Sequence, residues 1–289
     1  MNNETQMYSI RGIKQEQRIG EIQMANIWYE GNLNTLVNKR VYHELTYYIR
    51  GVLEVENKRY ERYALQTHFI EQGEDYLALL RQYVCPLYRE GDILSISEKV
   101  IAMCQGQTVH KSNIHLGLMA KCLSRFATQT KSGIGMDEPY KLQLVINLKG
   151  PIRVFIASIV GALGKCIGKR GWFYKLLGKD IAGIDGLYAH SAFEIYCDLA
   201  ILQPKNPDLV CEEIYKTLHM SVMIVDANDI SVDILGTSSD LKENKSELAT
   251  MIKDNPAGQD DECTPFILIR NIYDQEAEKY VPLEECMMN

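Results

Sequence analysis

Apolar and polar positions along the chain change period several times, and each change marks a predicted element. Tyr63 to Ile70 has strand composition, and Gly73-Glu74-Asp75 then turns the chain into a helix. In that helix Tyr76, Leu79, Leu80 and Tyr83 share one face. Asp92 to Ser97 alternates apolar and polar residues, as a half-buried strand does, and Glu98-Lys99-Val100-Ile101 begins a helix directly after it. Ile114 to Phe126 reads as helix, and Lys131 to Tyr140 as a loop rich in Gly and Ser. Lys141 to Lys149 is open between strand and helix. The longest apolar run, Val154 to Gly164, predicts a buried helix. A membrane-surface helix backed by nearby bases is the alternative there. Asn206-Pro207-Asp208 opens a helix with Leu209, Val210, Ile214 and Leu218 on one face. Ser221 to Val225 is a buried strand ending at Asp226, and Phe266 to Arg270 is another. Residues 1–59 are polar and irregular, with tyrosines at 42, 47 and 48; they are expected to form an N-terminal extension, as a helical segment or a dimer arm. Strands and helices that do not alternate regularly predict an α+β fold.

Composition narrows the function classes. The chain has 289 residues, 46% hydrophobic and 24% charged, which excludes a wholly disordered or collagen-like chain. Its net charge of -7 argues against a nucleic-acid partner. The charge is uneven, however. Between Arg153 and Asp180 lie Arg153, Lys165, Lys169, Arg170, Lys175 and Lys179, opposed only by Asp180, whereas the end of the chain is an acidic tail. No secretory signal is visible, and no apolar run reaches the roughly 20 residues of a membrane span. The eight cysteines form no CxxC pair and read as free thiols of a reducing cytoplasm, with Cys286 the expected exposed one. A cytoplasmic protein without membrane association is therefore expected.

Three stretches could carry chemistry. Val225-Asp226-Ala227-Asn228-Asp229 places a carboxylate just past a buried strand, where a hard cation could take oxygen ligands; it also reads as a plain turn. Ala182-Gly183-Ile184-Asp185-Gly186 sets an Asp between glycines that admit close approach of a phosphate or metal; the alternative is an Asp-Gly turn. Asn255 to Glu262 supplies flexible backbone and many oxygens, or is a solvated acidic loop. The phosphate loop GxxxxGK[ST], the GxGxxG fingerprint, the GxSxG elbow and HExxH are all absent from the sequence, and the six histidines show no metal spacing.

Read together and in order, these stretches resemble the coenzyme F420-0:γ-glutamyl ligase family. The phrases that carry the resemblance are Thr67-His68-Phe69-Ile70 with Gly73-Glu74-Asp75; Gly91-Asp92-Ile93 through Ser97-Glu98-Lys99 to Gln105-Gly106; Ala182-Gly183-Ile184-Asp185; Ile224-Val225-Asp226; and Gly258-Gln259-Asp260-Asp261-Glu262 leading to Pro265 and Ile269-Arg270. They span roughly the last three-quarters of the chain. The family adds glutamate to a deazaflavin coenzyme precursor with GTP and a divalent metal. The resemblance implies a ligase-like fold of mixed sheets and subdomains over residues 60–289, forming an intertwined homodimer. It implies Asp185, Asp226 and Gln259 as ligands of Mg²⁺ or Mn²⁺. It places nucleotide contacts at Thr67, His68, Phe69, Ile70, Glu98, Lys99, Gly258, Asp260, Asp261 and Glu262. The reaction it implies is amide formation between an amino acid and a small acidic acceptor, with GTP as cosubstrate.

The sequence departs from the family pattern at named positions. Met103 stands where relatives carry Lys, Leu187 and Tyr188 where they carry Ser-Asn, and Ala227 where they carry Thr. Val232 to Gly236 replaces a glycine-rich stretch, and residues 150–179 form a divergent insertion. These losses support a rival expectation: a non-catalytic homologue that keeps the dimeric scaffold and binds a metabolite or protein.

Overall fold

The run Phe266-Ile267-Leu268-Ile269 has no polar position to turn toward water, so it needs cover on both faces. The computed structural model, which describes residues 34–127, 136–169, 171–187, 195–227, 231–258 and 262–272, places it in the middle of a seven-stranded sheet. The strands are β1 (Lys39–Tyr42), β2 (Leu45–Val55), β3 (Lys58–Leu65), β4 (Ile93–Ser97), β5 (Thr108–His110), β6 (Asp185–Gly186), β7 (Leu199–Ile201), β8 (Ser221–Ala227), β9 (Val232–Thr237) and β10 (Phe266–Asn271). The helices are α1 (Tyr76–Tyr83), α2 (Glu98–Cys104), α3 (Leu118–Ser124), α4 (Pro139–Lys149), α5 (Pro151–Cys166), α6 (Trp172–Leu177), α7 (Lys179–Ala182), α8 (Ile195–Asp198), α9 (Pro207–Leu218) and α10 (Lys245–Met251). The large sheet runs β1-β2-β3-β10-β4-β8-β9, and β5-β7-β6 forms a smaller one. Only β4 and β8 pair in parallel; the remaining described neighbours are antiparallel. The expected α+β class is what the chain adopts.

Period-2 alternation assigns the two faces of the large sheet. Leu94, Ile96, Phe266 and Leu268 point to a layer that holds Leu80 of α1, Ile101 of α2 and Ile214 of α9. Ile93, Ile267 and Ile269 point to the other, covered by Leu248 and Met251 of α10. Because β4 is central, both of its faces are buried and even Ser95 is shielded; the half-buried reading of Asp92 to Ser97 does not hold. A second apolar cluster gathers α4, α5 and the short helices around the small sheet, through Leu142, Val145, Val154, Leu177, Ile181 and Ala200. Ala102 and Met103 of α2 pack on Leu199 and Ile201 of β7 and so join the two bodies.

Other expectations change. Residues 34–59, read as irregular, carry β1 and β2 in the large sheet; β2 pairs with β3 through a register shift between Ile49 and Val52. Tertiary pairing supplied the order that weak local alternation did not announce. Residues 1–33 lie outside the described set. Lys141 to Lys149 is helical, with Pro139 at the first turn and the Glu138 carboxylate accepting from Tyr140 N. Leu209, expected on the buried face of its helix, is exposed while its neighbours Val210 and Cys211 are buried. The Val154 to Gly164 run is helical but not a buried helix: Val154, Ala157 and Gly164 are its buried residues, and most of its large apolar side chains face outward. No disulfide forms among the described cysteines; Cys286 lies outside the described residues.

Candidate functional site

The only parallel pair in the described sheets brings two strand ends together, and carboxyl ends of parallel strands are where α/β proteins place ligands. Register pairs Ser97 of β4 with Val225 of β8, so the next residues, Glu98 at the start of α2 and Asp226 still within β8, lie side by side. Helix α2 starts at Glu98 with no linker, which holds Glu98 and Lys99 at the strand–helix junction. An acid in this first turn also suits the positive helix end. At the far side of β8, Asp226 pairs directly with Asp233 of β9. Like charges opposite each other weaken such a pair. A bulge between Ile224 and Val225 bends the strand just before Asp226.

Asp185 comes from the second body. It sits in β6 beside β7, which packs on α2, so Lys99 reaches across to form an ion pair with Asp185. The Asp185 carboxylate also accepts from Gly186 N at 2.9 Å. Local packing accounts for both glycines beside it. Gly186 has φ +82°, and a Cβ there would lie 1.9 Å from the Leu199 carbonyl oxygen. At Gly183 the space of a Cβ is taken by the Gln203 side chain, 2.4 Å from the Cβ position. Gly186→Ala is therefore expected to cost more than about 1 kcal/mol, seen as a lower midpoint in urea unfolding.

The electrostatics of this cluster are unbalanced. Glu98 is 4% exposed, and its Oε2 has no hydrogen-bond partner. Burial first, then the neighbouring charge of Asp226, push its carboxyl up to about 9; Lys99 opposes this, and Asp185 and Asp233 add to it. Asp226 is raised by burial and, despite Lys99, by Asp185 and Asp233. Burial also works against the charge of Asp185, yet the Lys99 ammonium beside it holds that carboxyl below its usual range. Burial would lower Lys99, but Asp185 overcomes this and holds its ammonium up at about 12. Lys141 of α4 is a second cation in this field. Burial pulls it below the usual lysine range, against the attraction of Asp185. Sequence reading missed Lys141, because its segment was open between strand and helix and no face could be assigned. It also missed Asp233 as a neighbour, since only strand register reveals it.

The remaining expected residues gather at one end of the central strands β3, β10 and β4. Thr67 N donates to the Cys263 carbonyl at 2.9 Å and Ser97 N to the Pro265 carbonyl at 3.0 Å. These bonds bring the segments after β3, after β4 and before β10 together. Within them, the His68 ring sits between the Tyr83 hydroxyl at 2.5 Å and the Glu74 carboxylate at 2.9 Å. Phe69 packs on Tyr196 with the rings tilted and their centres 5.5 Å apart, and Ile70 is part of the core. Glu262 faces Arg50 at 3.6 Å, and Gly258 closes a turn on Asn255. Gln259, Asp260, Asp261, Asn228, Asp229 and Tyr188 lie outside the described residues. Among the described residues no group of three or more His, Cys, Asp or Glu side chains is arranged to hold a metal.

Two departures from the family pattern have a packing role. Met103 is buried against Leu199 and Ile201. Leu187 is buried with φ +56°, its N–H donating to the Leu199 carbonyl at 3.0 Å. Ala227 ends β8 opposite Val232 and offers no side-chain oxygen.

The sequence model of the family described as F420-0:Gamma-glutamyl ligase matches residues 64–239. That span runs from the end of β3 past β9 and contains Thr67, Glu98, Lys99, Asp185 and Asp226. No curated protein matches the chain.

Proposed function

The chain belongs to the F420-0:gamma-glutamyl ligase family, and from that premise we propose that it is a metal- and nucleotide-dependent ligase joining an amino acid to a small acidic acceptor. The observation that carries this reading is the cluster of Glu98, Asp185 and Asp226 at the end of the parallel strand pair, with one buried carboxylate oxygen of Glu98 unpartnered. Carboxylate oxygens are the donors a hard divalent cation takes, and the acids here need Gln259, outside the described residues, to complete a set. Asp185 and Asp226 would hold Mg²⁺ or Mn²⁺, with Gln259 as a further ligand. A metal there supplies charge neutralisation for the phosphates of GTP.

The chain's own residues do the remaining work. Lys99 and Lys141 offset the negative charge of an acidic acceptor or of a transferring phosphoryl group. The segments Thr67–Ile70 and Ala257–Thr264 would line the nucleotide side, including Gly258, Asp260, Asp261 and Glu262. The acceptor carboxylate takes the terminal phosphoryl group of GTP, and GDP leaves. The amino group then attacks the acyl carbon, a proton is lost from nitrogen, and phosphate leaves with the bonding pair. Positioning and electrostatics are the principal demands of the first step. As in the resemblance, the protein would work as a homodimer.

One observation favours the rival scaffold reading: Met103 and Ala227 put apolar side chains where relatives carry Lys and Thr. Calorimetric titration of GTP and ATP, each with Mg²⁺, with Mn²⁺ and without metal, separates the two. Metal-dependent binding, followed by nucleotide turnover that one amino acid stimulates, is the expected result. No binding in any combination would overturn the ligase reading and leave the scaffold.

A further inference from the structure

Helix α5 presents its large apolar side chains to the outside. Its inner face is made of small residues, and α6 lies close against it. A Cβ on Gly161 would sit 3.1 Å from Phe173 Cβ, and one on Gly164 would sit 3.1 Å from the Trp172 ring. On the opposite side Ile152, Phe155, Ile156, Ile159 and Leu163 follow the i, i+3, i+4 spacing of one helix face, and each is 47–76% exposed. No polar residue interrupts this stripe. The 3.6-residue repeat places Arg153 beside the stripe, and Lys165 is exposed in the last turn of the helix, toward its other side. Arg153 donates to the Leu176 carbonyl at 3.0 Å and stays exposed. Lys169 and Lys175 are exposed in the segment that follows. From Pro139 to Lys179 the sequence contains no Asp or Glu, although the whole chain carries -7.

A continuous stripe of five large apolar side chains is more than scattered surface hydrophobicity and marks an interaction surface. Its basic surroundings select the occupant. A second copy packed on the same stripe would bring identical bases face to face. An anionic bilayer offers an apolar layer to the stripe and negative headgroups to its rim. The helix has 16 residues, which makes it about 24 Å long, and no helix among the described residues is long and apolar enough to cross a membrane. We propose that α5 docks this protein on an anionic lipid surface, lying parallel to it with the stripe inserted among the acyl chains and the flanking bases against the headgroups. The expectation of no membrane association rested in part on reading this helix as buried, and the exposure of its face removes that part. The proposal uses none of the carboxylate cluster, so either can fail without the other.

Sedimentation of the full-length protein with vesicles tests it. Binding is expected to phosphatidylcholine vesicles containing phosphatidylglycerol, with little to phosphatidylcholine alone, and with release in high salt. Ile156→Ser with Ile159→Ser is expected to reduce partition more than about tenfold without changing Tm, because both side chains are already exposed. Leu209→Ser, at an exposed apolar position on α9, is expected to leave partition unchanged. Failure to bind anionic vesicles, or equal binding to neutral ones, would overturn the proposal. So would a wild-type dimer in analytical ultracentrifugation that the double serine variant converts to monomer, since the stripe would then belong to a second copy.

Discussion

Asp226→Asn is expected to weaken metal-dependent GTP binding by at least about 10–100-fold, the loss that even outer partners of a metal ligand produce. The metal-free protein is expected to be no less stable than the parent. Asp226 emerges beside Glu98 and opposite Asp233, and Asp185 adds a further repulsion. Removing one negative charge from such a group relieves repulsion rather than breaking an ion pair. The pairing of unchanged or raised Tm without metal and lost stabilisation by metal with nucleotide distinguishes a binding role from a folding role. Asp185→Asn is expected to lose the same binding, but it also removes the partner of Lys99. Thermal melts and calorimetry on both variants, with and without Mn²⁺, check this. Parent-like binding in both would remove Asp185 and Asp226 from the site.

The largest expected effect on stability lies elsewhere. Arg270→Met is expected to cost about 3–5 kcal/mol, because it strands a buried carboxylate. Arg270 on β10 donates to both oxygens of Asp92, from Nε at 2.7 Å and from a terminal nitrogen at 2.5 Å. It also donates to the Leu87 carbonyl at 2.9 Å and stacks on Tyr63 at 5.1 Å. Asp92 is 1% exposed and has, besides Arg270, the N–H of Arg89 at 2.9 Å. The group ties β10 and β3 to the turn that enters β4, the strand that delivers Glu98. Adding Asp92→Leu to Arg270→Met is expected to recover part of the loss, since an apolar pair leaves no charge uncompensated. Urea unfolding of the two single variants and the double variant measures the coupling. Single variants within about 0.5 kcal/mol of the parent would contradict this.

These two sets of residues came from the same phrases of sequence, and their roles diverge. Gly91-Asp92-Ile93 and Ile269-Arg270 carried the resemblance as strongly as Ile224-Val225-Asp226 did. The structure uses the first two as a buried clasp and leaves the third as a half-buried acid among other acids. Spacing along a chain cannot separate these cases, because Asp92 and Arg270 are 178 positions apart and meet only when β10 inserts between β3 and β4.

What the sequence determined by itself was local and strongly patterned. It yielded the helix from Tyr76, the helix opened by Pro207, the strands around Ile96, Ile224 and Leu268, the α+β class and the family. In each of these elements, side-chain periodicity and the polarity of neighbouring residues act over a few positions. The tertiary structure decided everything that depends on register or on which face finds a partner. Strands β1 and β2 owe their place to pairing with β3, the approach of Glu98 to Asp226 to the parallel register of β4 and β8, and the presence of Lys141 near Asp185 to the packing of α4. The same cause turned Val154 to Gly164 from an expected core helix into one whose apolar face is bare. A run of apolar residues states how much surface would leave water, and only the neighbouring elements decide whether anything is there to cover it.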